Sequence, residues 1–388
     1  MQTSRVIDVD PVDLSVLIVN YNVGRFVLDA IGSVAAQRFV GPEGRPGRLE
    51  MLVIDNASHP ADAAILDRLP ASVTVIKNST NLGFAAANNQ GIVRAQGRYL
   101  CFLNPDTRLR EGSLQAMLQY LYEHPGVGMV GPMIWADDEG VLRLPPGDPP
   151  SLLFLLSRAM GGVSPRFSLW RQRRWLRSAV RFWRAEAPMD TTMLSGACLM
   201  ASRHVIEHVG RFDSGFFLYY EDSDLCRRIR GQGYRLVVVP AAQVVHYYNQ
   251  SAKTDPAGAW CHAMASELRF VRIHYGRTGA LIYRIAQDIG RRSGRGRQPV
   301  NRPDVIDLGA LERPPRLSVP GAVVPERELL WQVGPDSGFA PSAGALRVGN
   351  GFDFNRIVWE RLMPGRYFAR AVDPKTLRPM AYWSWVKR

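Results

Sequence analysis

Several carboxylate and amide side chains follow short apolar stretches of the sequence, at positions where a buried strand would end. The clearest case is Asn104-Pro105-Asp106, which directly follows the uncharged stretch from Tyr99 to Leu103. Proline cannot donate to a sheet ladder, so the chain must leave the sheet here, and residues two apart project to the same side. Open α/β folds bind ligands at the carboxyl ends of their strands, which makes Asp106 a candidate ligand-binding residue. Asn, Pro and Asp are also common turn residues, and an ordinary exit from a strand explains the same pattern.

Two earlier apolar stretches, Leu14 to Val19 and Leu49 to Ile54, end in the same way. The polar residues after them are Asn20, Tyr21 and Asn22 for the first and Asp55 for the second. Helical spacing of apolar residues between them, and another strand-like stretch at Val73 to Ile76, predict right-handed βαβ units. The polar turns should therefore lie along one edge of a parallel sheet.

An asparagine-rich segment runs from Asn81 to Asn89 and includes Gly83 and Asn88. Its glycine and alanines allow close backbone approach at a helix start, where free N–H groups suit a phosphate or another polar ligand. Asparagine is unfavourable inside a helix because its amide competes with the backbone. These amides have either a ligand-binding role or a structural one, as caps or loop bridges.

Three carboxylates, Glu221, Asp222 and Asp224, follow an aromatic block at the head of a predicted helix that runs to about Gly231. Acidic residues commonly occupy the first turn of a helix, which accounts for Asp224. Adjacent carboxylates next to apolar residues repel each other and lose solvation, which raises a pKa and creates a base usable near neutral pH. Farther along, three stretches are strand-like: Thr192 to Met200, Arg235 to Val239 and Val244 to His246. His246 ends the last of them, where a structural role and a ligand-binding role are both open.

Composition excludes several classes of protein. The chain has 388 residues, more than a typical single domain, and 46% hydrophobic residues, enough for a large core. The polar, acidic amino terminus does not resemble a secretory signal, and no apolar stretch approaches the roughly 20 residues of a membrane-spanning helix. We therefore expect a cytoplasmic protein. Four scattered cysteines favour buried thiols over disulfides or a zinc site.

The net charge of +13 indicates an anionic partner. The basic residues concentrate between Pro149 and Ala185, a segment that lacks acidic residues and combines eight arginines with Trp170, Trp175 and Trp183. Polybasic segments with interfacial aromatic residues bind anionic membranes, and we expect this one to dock on the inner membrane face. A solvated loop or a clamp for a diphosphate group explains the same composition.

The pattern changes near the carboxyl end. A Gly/Pro/Arg-rich stretch at 291–325 indicates a linker, and short alternating stretches with tryptophans at 326–388 predict a small β-sandwich. We expect a catalytic domain at 12–290, with the arginine- and tryptophan-rich insertion at 149–185. The tryptophans of the appended domain either bind glycan or pack, and packing is favoured.

Taken together, these ordered motifs resemble the inverting family 2 glycosyltransferases, and among them the bacterial rhamnosyltransferase branch. The motifs are Val19-Asn-Tyr-Asn22, Val53-Ile-Asp-Asn-Ala-Ser58, Asn81-Leu-Gly-Phe-Ala-Ala-Ala-Asn-Asn89, Asn104-Pro-Asp106, Ser195-Gly-Ala197, Tyr220-Glu-Asp222 and His246. The resemblance covers about Leu14 to Gly276 and is specific for the family rather than for the sugar. It implies a GT-A-type nucleotide-sugar-binding sheet and transfer of a sugar, with rhamnose as a candidate, in cell-surface polysaccharide synthesis.

The resemblance also implies roles for individual residues. Asp222 would deprotonate the acceptor hydroxyl, and Glu221 would orient it or share the task. Asp106 would bind Mg²⁺ or Mn²⁺ at the donor diphosphate, with His246 as a second ligand or a contact to the leaving group. The donor would contact the residues Asn20, Tyr21, Asn22, Asp55, Asn81, Gly83, Asn88 and Asn104. The family usually has two acidic residues in its metal motif, and here the first is Asn104, so metal binding would depend on Asp106 and the phosphates.

The expected partners are a nucleotide-diphosphate sugar, a glycan or polyprenyl-diphosphate-linked acceptor and an anionic membrane surface, with no nucleic acid. The alternative from another class is a non-enzymatic binder of anionic polymer or glycan, built on the basic segment and the appended domain. Separate carboxylate and histidine groups at strand ends argue against it, since a binder does not need them. A pyrophosphorylase or methyltransferase would need a Gly-rich loop after the first strand, where this chain has Asn-Tyr-Asn.

Overall fold

The computed structural model describes residues 12–41, 44–145, 147, 151–160, 165–247, 250, 255–292, 304–321 and 326–388. The amino-terminal residues 1–11 and parts of the expected linker, 293–303 and 322–325, lie outside the described residues. The chain divides into two units. The first comprises the described parts of Met1–Pro132, Asp190–Val244 and Asn249–Ser266, and the second those of Met133–Met189, Val245–Tyr248 and Glu267–Arg388.

The helices are α1 (Gly24–Ala35), α2 (Pro60–Ala63), α3 (Phe84–Arg94), α4 (Ser113–Glu123), α5 (Leu152–Ala159), α6 (Pro165–Trp183), α7 (Arg203–Val209), α8 (Glu221–Gly231), α9 (Pro256–Arg292) and α10 (Arg356–Arg361), with a 3₁₀ helix at Ala64–Arg68. The strands are β1 (Leu14–Asn20), β2 (Leu49–Asp55), β3 (Val73–Lys77), β4 (Tyr99–Leu103), β5 (Thr107–Leu109), β6 (Val127–Trp135), β7 (Met189–Thr191), β8 (Cys198–Ser202), β9 (Arg235–His246), β10 (Val305–Leu311), β11 (Arg316–Ser318), β12 (Glu328–Gly334), β13 (Ala343–Val348), β14 (Gly351–Asp353), β15 (Gly365–Val372) and β16 (Pro379–Lys387).

Nine strands of the described residues form one sheet, in the order β3-β2-β1-β4-β8-β6-β9-β5, with β7 paired to β9. The neighbours β3, β2, β1 and β4 run parallel, as predicted from the βαβ pattern. Strand β1 is buried along its whole length because helices cover parallel sheets on both faces. The parallel arrangement ends at β8, which runs antiparallel to β4. The polar turns after β1, β2 and β4 therefore lie along one edge.

Two local predictions in this sheet are wrong. The stretch from Thr192 to Met200 is not one strand, because β8 begins only at Cys198, after a loop in which the Thr191 hydroxyl donates to the Met193 carbonyl at 3.0 Å. The two strands expected around Val239 and Val244 are a single strand, β9, that continues through Pro240. A proline removes one ladder donor but does not prevent extended backbone.

The carboxyl-terminal part of the chain is rich in β-structure, as predicted. Its described residues form a five-stranded sheet in the order β10-β16-β15-β12-β13 and a two-stranded sheet of β11 and β14. The tryptophans of this part are buried in its own core, none more than 4% exposed: Trp331, Trp359, Trp383 and Trp385. They therefore serve packing rather than glycan binding.

Strands β10 and β11 form within the stretch 291–325, where the composition indicates a linker. The alternating Leu317 and Val319 are both buried in the tryptophan core, whereas Ser318 between them faces away. This alternation is typical of a strand that covers a core on one face. The surrounding prolines and arginines conceal it in the sequence.

The arginine- and tryptophan-rich insertion is helical where it is described. Helix α6 buries Trp175 and Trp183, and the Trp183 indole donates to the carbonyl of Leu144 at 3.0 Å. A Cβ at Gly344 would lie 2.5 Å from the Trp183 ring, so only glycine allows this close packing. The arginines of α6 at 173, 174, 177 and 181 lie on its exposed side, and Arg184, just after the helix, is also exposed. The segment is thus an amphipathic helix rather than a solvated loop.

Two compositional predictions are also tested by the fold. Cys101, Cys198 and Cys226 are buried free thiols, as expected, whereas Cys261 is exposed. Among the described residues, no helix combines the length and the apolar character needed to span a bilayer.

Candidate active site

Asn20, at the end of β1, connects the first two polar turns. Its side chain is fully buried, and its Nδ2 donates to Asp55 Oδ1 at 2.9 Å, Ser58 Oγ at 3.0 Å and Asp62 Oδ2 at 3.1 Å. These bonds fix the Asp55 carboxylate, which is 3% exposed, at the end of β2. The amide of Asn20 therefore positions Asp55 and has little donor capacity left for a ligand.

Both turns contain backbone conformations that are unusual for residues other than glycine. Asn22 has a φ of +59° and Ala57 a φ of +63°. The Asn22 N–H donates to Ser58 Oγ at 2.9 Å, and its Oδ1 accepts from the His59 N–H at 2.7 Å, which holds the strained turn in place. Such strain concentrates at ligand-binding sites. Tyr21, between these anchors, is half-buried.

Asn56 has a structural role that its place in the sequence motif does not indicate. Its Nδ2 donates to Asn81 Oδ1 at 2.7 Å, and its Oδ1 accepts from the Leu82 N–H at 3.0 Å. Asn81 Oδ1 also accepts from the Gly83 N–H at 2.9 Å. Asn81 thus links the β2 turn to the start of α3. The cluster of asparagines in the two motifs was the only sequence signal for this network.

Gly83, with a φ of +84°, lies directly before α3. A Cβ at this position would lie 2.6 Å from the Phe217 carbonyl oxygen. The glycine therefore permits close approach of another segment of the chain, where the sequence suggested close approach of a ligand. The Phe84 N–H donates to the same carbonyl at 2.7 Å. The helix start therefore offers one free N–H fewer to a phosphate than the sequence suggests.

The two asparagines inside α3 have different structural roles. Asn88 is 1% exposed, and its Nδ2 donates back to the Phe84 carbonyl at 3.0 Å. Asn89 exchanges two hydrogen bonds with the backbone of Phe212, at 2.8 and 3.1 Å, and donates to Ser214 Oγ at 3.1 Å. Asn89 therefore fixes the segment that leads to the acidic pair. This is the structural role, as a bridge between loops, that the sequence left open for these amides.

The Asn-Pro-Asp turn follows β4 as predicted. Asp106 is 5% exposed, and its Oδ2 accepts from the Gln250 N–H at 3.1 Å. Asn104 is half-buried, and its N–H donates to the Ala197 carbonyl at 2.9 Å. The turn therefore lies next to the loop before β8.

The acidic pair begins helix α8 immediately after two strained residues. Tyr219 and Tyr220 have φ values of +67° and +68°. Consecutive non-glycine residues in the left-handed region cost free energy and persist only where the surrounding structure enforces them. They turn the chain so that Glu221 and Asp222 occupy the first turn of the helix.

Asp222 is held toward the loop before β8. Its Oδ2 accepts from the Gly196 N–H at 2.9 Å, and its Oδ1 accepts from the Ser223 N–H at 2.6 Å. Because Gly196 precedes the residue that binds Asn104, one short loop connects the acidic pair to the Asn-Pro-Asp turn. Burial raises the pKa of Asp222, and the bonds from Gly196 and Ser223 oppose this shift.

Glu221 is more deeply buried, at 6% exposed, and its Oε2 has no hydrogen-bond partner among the described residues. Burial, and secondarily the charge of Asp222, raise the pKa of Glu221 to about 8. Near neutral pH the pair therefore retains a proton, which stays mainly on Glu221. Asp222, with its stabilising N–H donors, is the better candidate for the ionised base.

Asp224 has the structural role expected for it. It is buried, and Oδ2 accepts from the Nε of Arg228 at 2.7 Å. Arg228 also donates to the carbonyls of Val209 and Arg211, both at 2.6 Å. The bonds from Arg228 to these carbonyls join α8 to the end of α7 and the turn after it.

The remaining predicted site residue, His246, is buried at the end of β9 and belongs to the second unit. In the described part of the chain, no three His, Cys, Asp or Glu side chains are grouped as a metal site would require. The metal-binding roles of Asp106 and His246 therefore stay predictions.

A family model and several known proteins match part of this chain. The sequence model of Glycosyl transferase family 2 matches residues 15–210, half of the chain, and the chain belongs to this family. The match includes the turns after β1, β2 and β4 and the loop before β8, and it ends before the acidic pair. The protein is thus a glycosyltransferase with a GT-A-type α/β fold and an additional β-rich region. The alternative of a non-enzymatic binder finds no support.

Individual relatives extend this comparison. The chain is 30% identical over 223 residues to the N-acetylglucosaminyl-diphospho-decaprenol L-rhamnosyltransferase of Mycobacterium tuberculosis, covering 54% of this chain and 70% of the relative. It is 29% identical over 113 residues to a putative teichuronic acid biosynthesis glycosyltransferase of Bacillus subtilis, covering 28% and 42% of the two chains. A solved mannosyltransferase from Pyrobaculum calidifontis, in complex with GDP-Man and Mn²⁺, has a TM-score of 0.48 and 17% identity, covering 74% and 76%. This chain therefore resembles the bacterial rhamnosyltransferase branch of the family.

Proposed function

We propose that this chain transfers a sugar from a nucleotide-diphosphate sugar to a hydroxyl of a glycan acceptor, with inversion at the anomeric carbon. The observation that supports this most strongly is the bond from Gly196 to Asp222. It fixes Asp222, the candidate base for the acceptor hydroxyl, beside the loop that contacts the Asn104 turn. The groups proposed for the acceptor and for the donor are therefore at the same edge of the sheet. A glycosyltransferase needs this proximity of acceptor activation and donor binding.

In the proposed reaction the acceptor oxygen attacks the anomeric carbon from the face opposite the diphosphate. The new carbon–oxygen bond forms as the bond to the diphosphate breaks, and the nucleoside diphosphate leaves with that electron pair. Asp222 accepts the hydroxyl proton. The buried Glu221 keeps its own proton, which avoids two adjacent negative charges and leaves Asp222 ionised.

We propose that the nucleotide lies over the carboxyl ends of β1, β2 and β4. Asp55 would accept hydrogen bonds from the base or ribose, with Tyr21 alongside. The amides of Asn20, Asn22, Asn81 and Asn88 would act mainly by shaping this slot, since much of their hydrogen-bonding capacity is used within the protein. Gly83 and Asn104 would contribute backbone at the diphosphate.

The family resemblance implies a divalent metal, and the chemistry of the turn fits one. A buried carboxylate, Asp106, next to a half-buried amide, Asn104, offers the hard oxygen ligands that Mg²⁺ and Mn²⁺ prefer. Asp106 would hold the ion together with donor phosphates, and His246 is a further candidate ligand. When bound, such an ion neutralises charge on the leaving diphosphate.

The name of the mycobacterial relative specifies a rhamnosyl donor and a lipid-diphosphate-linked acceptor. We propose the same classes here: rhamnose as the sugar, a polyprenyl-diphosphate-linked glycan as the acceptor and cell-surface polysaccharide as the product. The reaction would take place at the inner face of the membrane. The exposed arginines of α6, three of which line a groove of about 440 Å³ with Leu169 and Trp170, would face its anionic surface.

Binding of a panel of nucleotide sugars tests this proposal, because a ligand that binds only the folded state raises the melting temperature. We expect at least one rhamnose or hexose donor to stabilise the protein, and Asp55→Ala to weaken its binding roughly 10- to 100-fold through loss of hydrogen bonds to a charged group. The exposed Asp29→Ala on α1 is the matched control and should bind normally.

Two outcomes would contradict the proposal. If no nucleotide sugar stabilises the protein, with or without Mn²⁺, the donor class is wrong. If calorimetry gives Asp55→Ala the wild-type dissociation constant, the nucleotide lies elsewhere.

A further inference from the structure

Helix α9 carries an exposed apolar stripe, separate from the residues with which it packs against the rest of its unit. Leu281, Ile282, Ile285 and Ile289 are 59%, 45%, 49% and 45% exposed. Their spacing places all four on one side of the helix. Single exposed aliphatic residues are common, but an aligned group of four large ones indicates an interaction surface.

The stripe is not the surface that α9 uses to pack within its own unit. The packing seam consists of Gly279, Tyr283, Ala286 and Gly290. A Cβ at Gly290 would lie 2.1 Å from the Ala159 carbonyl of α5, and Tyr283 shares a buried cluster with Leu155. Internal packing is thus satisfied without the stripe.

Most of the exposed charged residues on this part of α9 are arginines. Between the break in the helix at Gly276 and its end, the exposed charged residues are Arg277, Arg284, Asp288, Arg291 and Arg292. The segment is therefore both apolar along one side and strongly basic. This combination is typical of helices that lie in the interfacial region of an anionic bilayer.

We propose that residues 277–292 of α9 form a surface that inserts shallowly into an anionic phospholipid bilayer. A second copy of the chain is the poorer occupant. A symmetric interface would bring like-charged arginines together, whereas anionic headgroups complement them. This surface rests on the proposed function in one respect only: the reason for docking would be to reach a lipid-linked acceptor. Its test requires no catalysis.

Co-sedimentation of the full chain with vesicles tests this surface. Wild-type protein should bind phosphatidylglycerol-containing vesicles, bind pure phosphatidylcholine vesicles much less, and bind less tightly at high salt. Leu281→Ser/Ile285→Ser should reduce the binding constant to anionic vesicles by about tenfold or more, since each substitution removes several buried methylene groups. Ile285→Leu should bind like wild type.

A matched control removes equally exposed aliphatic residues elsewhere. Val93 and Val348 are 63% and 69% exposed, and Val93→Ser/Val348→Ser should retain binding. An unchanged melting temperature and nucleotide binding would show that the α9 variant folds. The proposal is overturned if wild-type protein ignores anionic vesicles, if the α9 variant binds them normally, or if the stripe instead mediates a dimer that the variant dissociates. Failure of sugar transfer with intact vesicle binding would contradict only the proposed function.

Discussion

At the scale of single residues, the two carboxylates at the head of α8 differ in their hydrogen bonding. Asp222 accepts bonds from the Gly196 and Ser223 N–H groups, whereas Glu221 Oε2 accepts none within the described residues. N–H donors favour the ionised form of a carboxyl group, and burial without donors favours the protonated form. The same sequence pair thus yields one group suited to act as a base and one suited to hold a proton.

Glu221 should make stability depend on pH. An unfolded glutamate titrates near 4.3, whereas burial raises the pKa of the folded group to about 8. Between these values the folded state holds the extra proton, so the free energy of unfolding falls as pH rises through the window and levels off above it. Glu221→Gln cannot lose a proton, and we expect its melting temperature to fall less than that of wild type between pH 5 and pH 8.

Glu139→Gln is the control for this measurement, because Glu139 is exposed and should leave the wild-type pH dependence intact. An equal loss of melting temperature in wild type and Glu221→Gln would show that Glu221 titrates normally.

At the scale of elements, the start of α3 and the segment before α8 are joined by backbone contacts. The Phe84 N–H donates to the Phe217 carbonyl, and Asn89 bonds to Phe212. The asparagine-rich helix therefore fixes the approach to the acidic pair, four residues after Phe217. This connection gives the Asn-rich motif a positioning role in addition to any contact with the donor.

Gly83→Ala tests this contact. The new Cβ must meet the Phe217 carbonyl at a backbone conformation that favours glycine. Gly112, before α4, also has a positive φ but has open space around it, so Gly112→Ala should cost only about 1–2 kcal/mol of backbone strain. We expect Gly83→Ala to cost a further 1–3 kcal/mol or so from the clash, measured by urea unfolding. Equal losses of unfolding free energy in the two variants would show that the Phe217 segment moves away from the new Cβ at no cost, which would contradict this prediction.

Much of the first unit follows from sequence pattern. The bounds of β4 agree with prediction, and β1, β2, β3 and α8 agree within a residue or two. These elements are continuous apolar stretches with clear polar ends, so local pattern and tertiary packing favour the same structure. The strands β10 and β11 were missed because long-range pairing with β16 and β14 defines them, and pairing partners are not visible in a local window.

The candidate site follows from sequence only in part. The sequence indicated Asp55 and Asp106 by their positions after apolar stretches, and Asp222 by its adjacent carboxylate and the aromatic block before it. The contacts of Asn56 and Asn89 were not predictable, because an amide bonds equally well to a ligand or to backbone 26 to 123 residues away. Only the fold determines which of these occurs.

At the scale of the whole molecule, two groups of exposed arginines and the candidate catalytic carboxylates lie in different units of the chain. The exposed arginines of α6 and those of α9 lie on helices of the second unit, as does the apolar stripe. The candidate catalytic carboxylates lie in the first unit. The proposed donor chemistry thus belongs to the first unit and the proposed contact with an anionic surface to helices of the second, of which α6 lies within the residues that the family model matches and the basic end of α9 lies outside them.

The most direct test of the account is to measure donor binding and turnover in Asp222→Asn. The substitution removes the proton acceptor but retains size and polarity, and it leaves the turns after β1, β2 and β4 unchanged. We expect kcat to fall by about 10²- to 10⁴-fold, as for loss of a general base, with the donor dissociation constant unchanged. Wild-type turnover in Asp222→Asn would contradict the assignment of the base, and so would a loss of activity explained entirely by weaker donor binding.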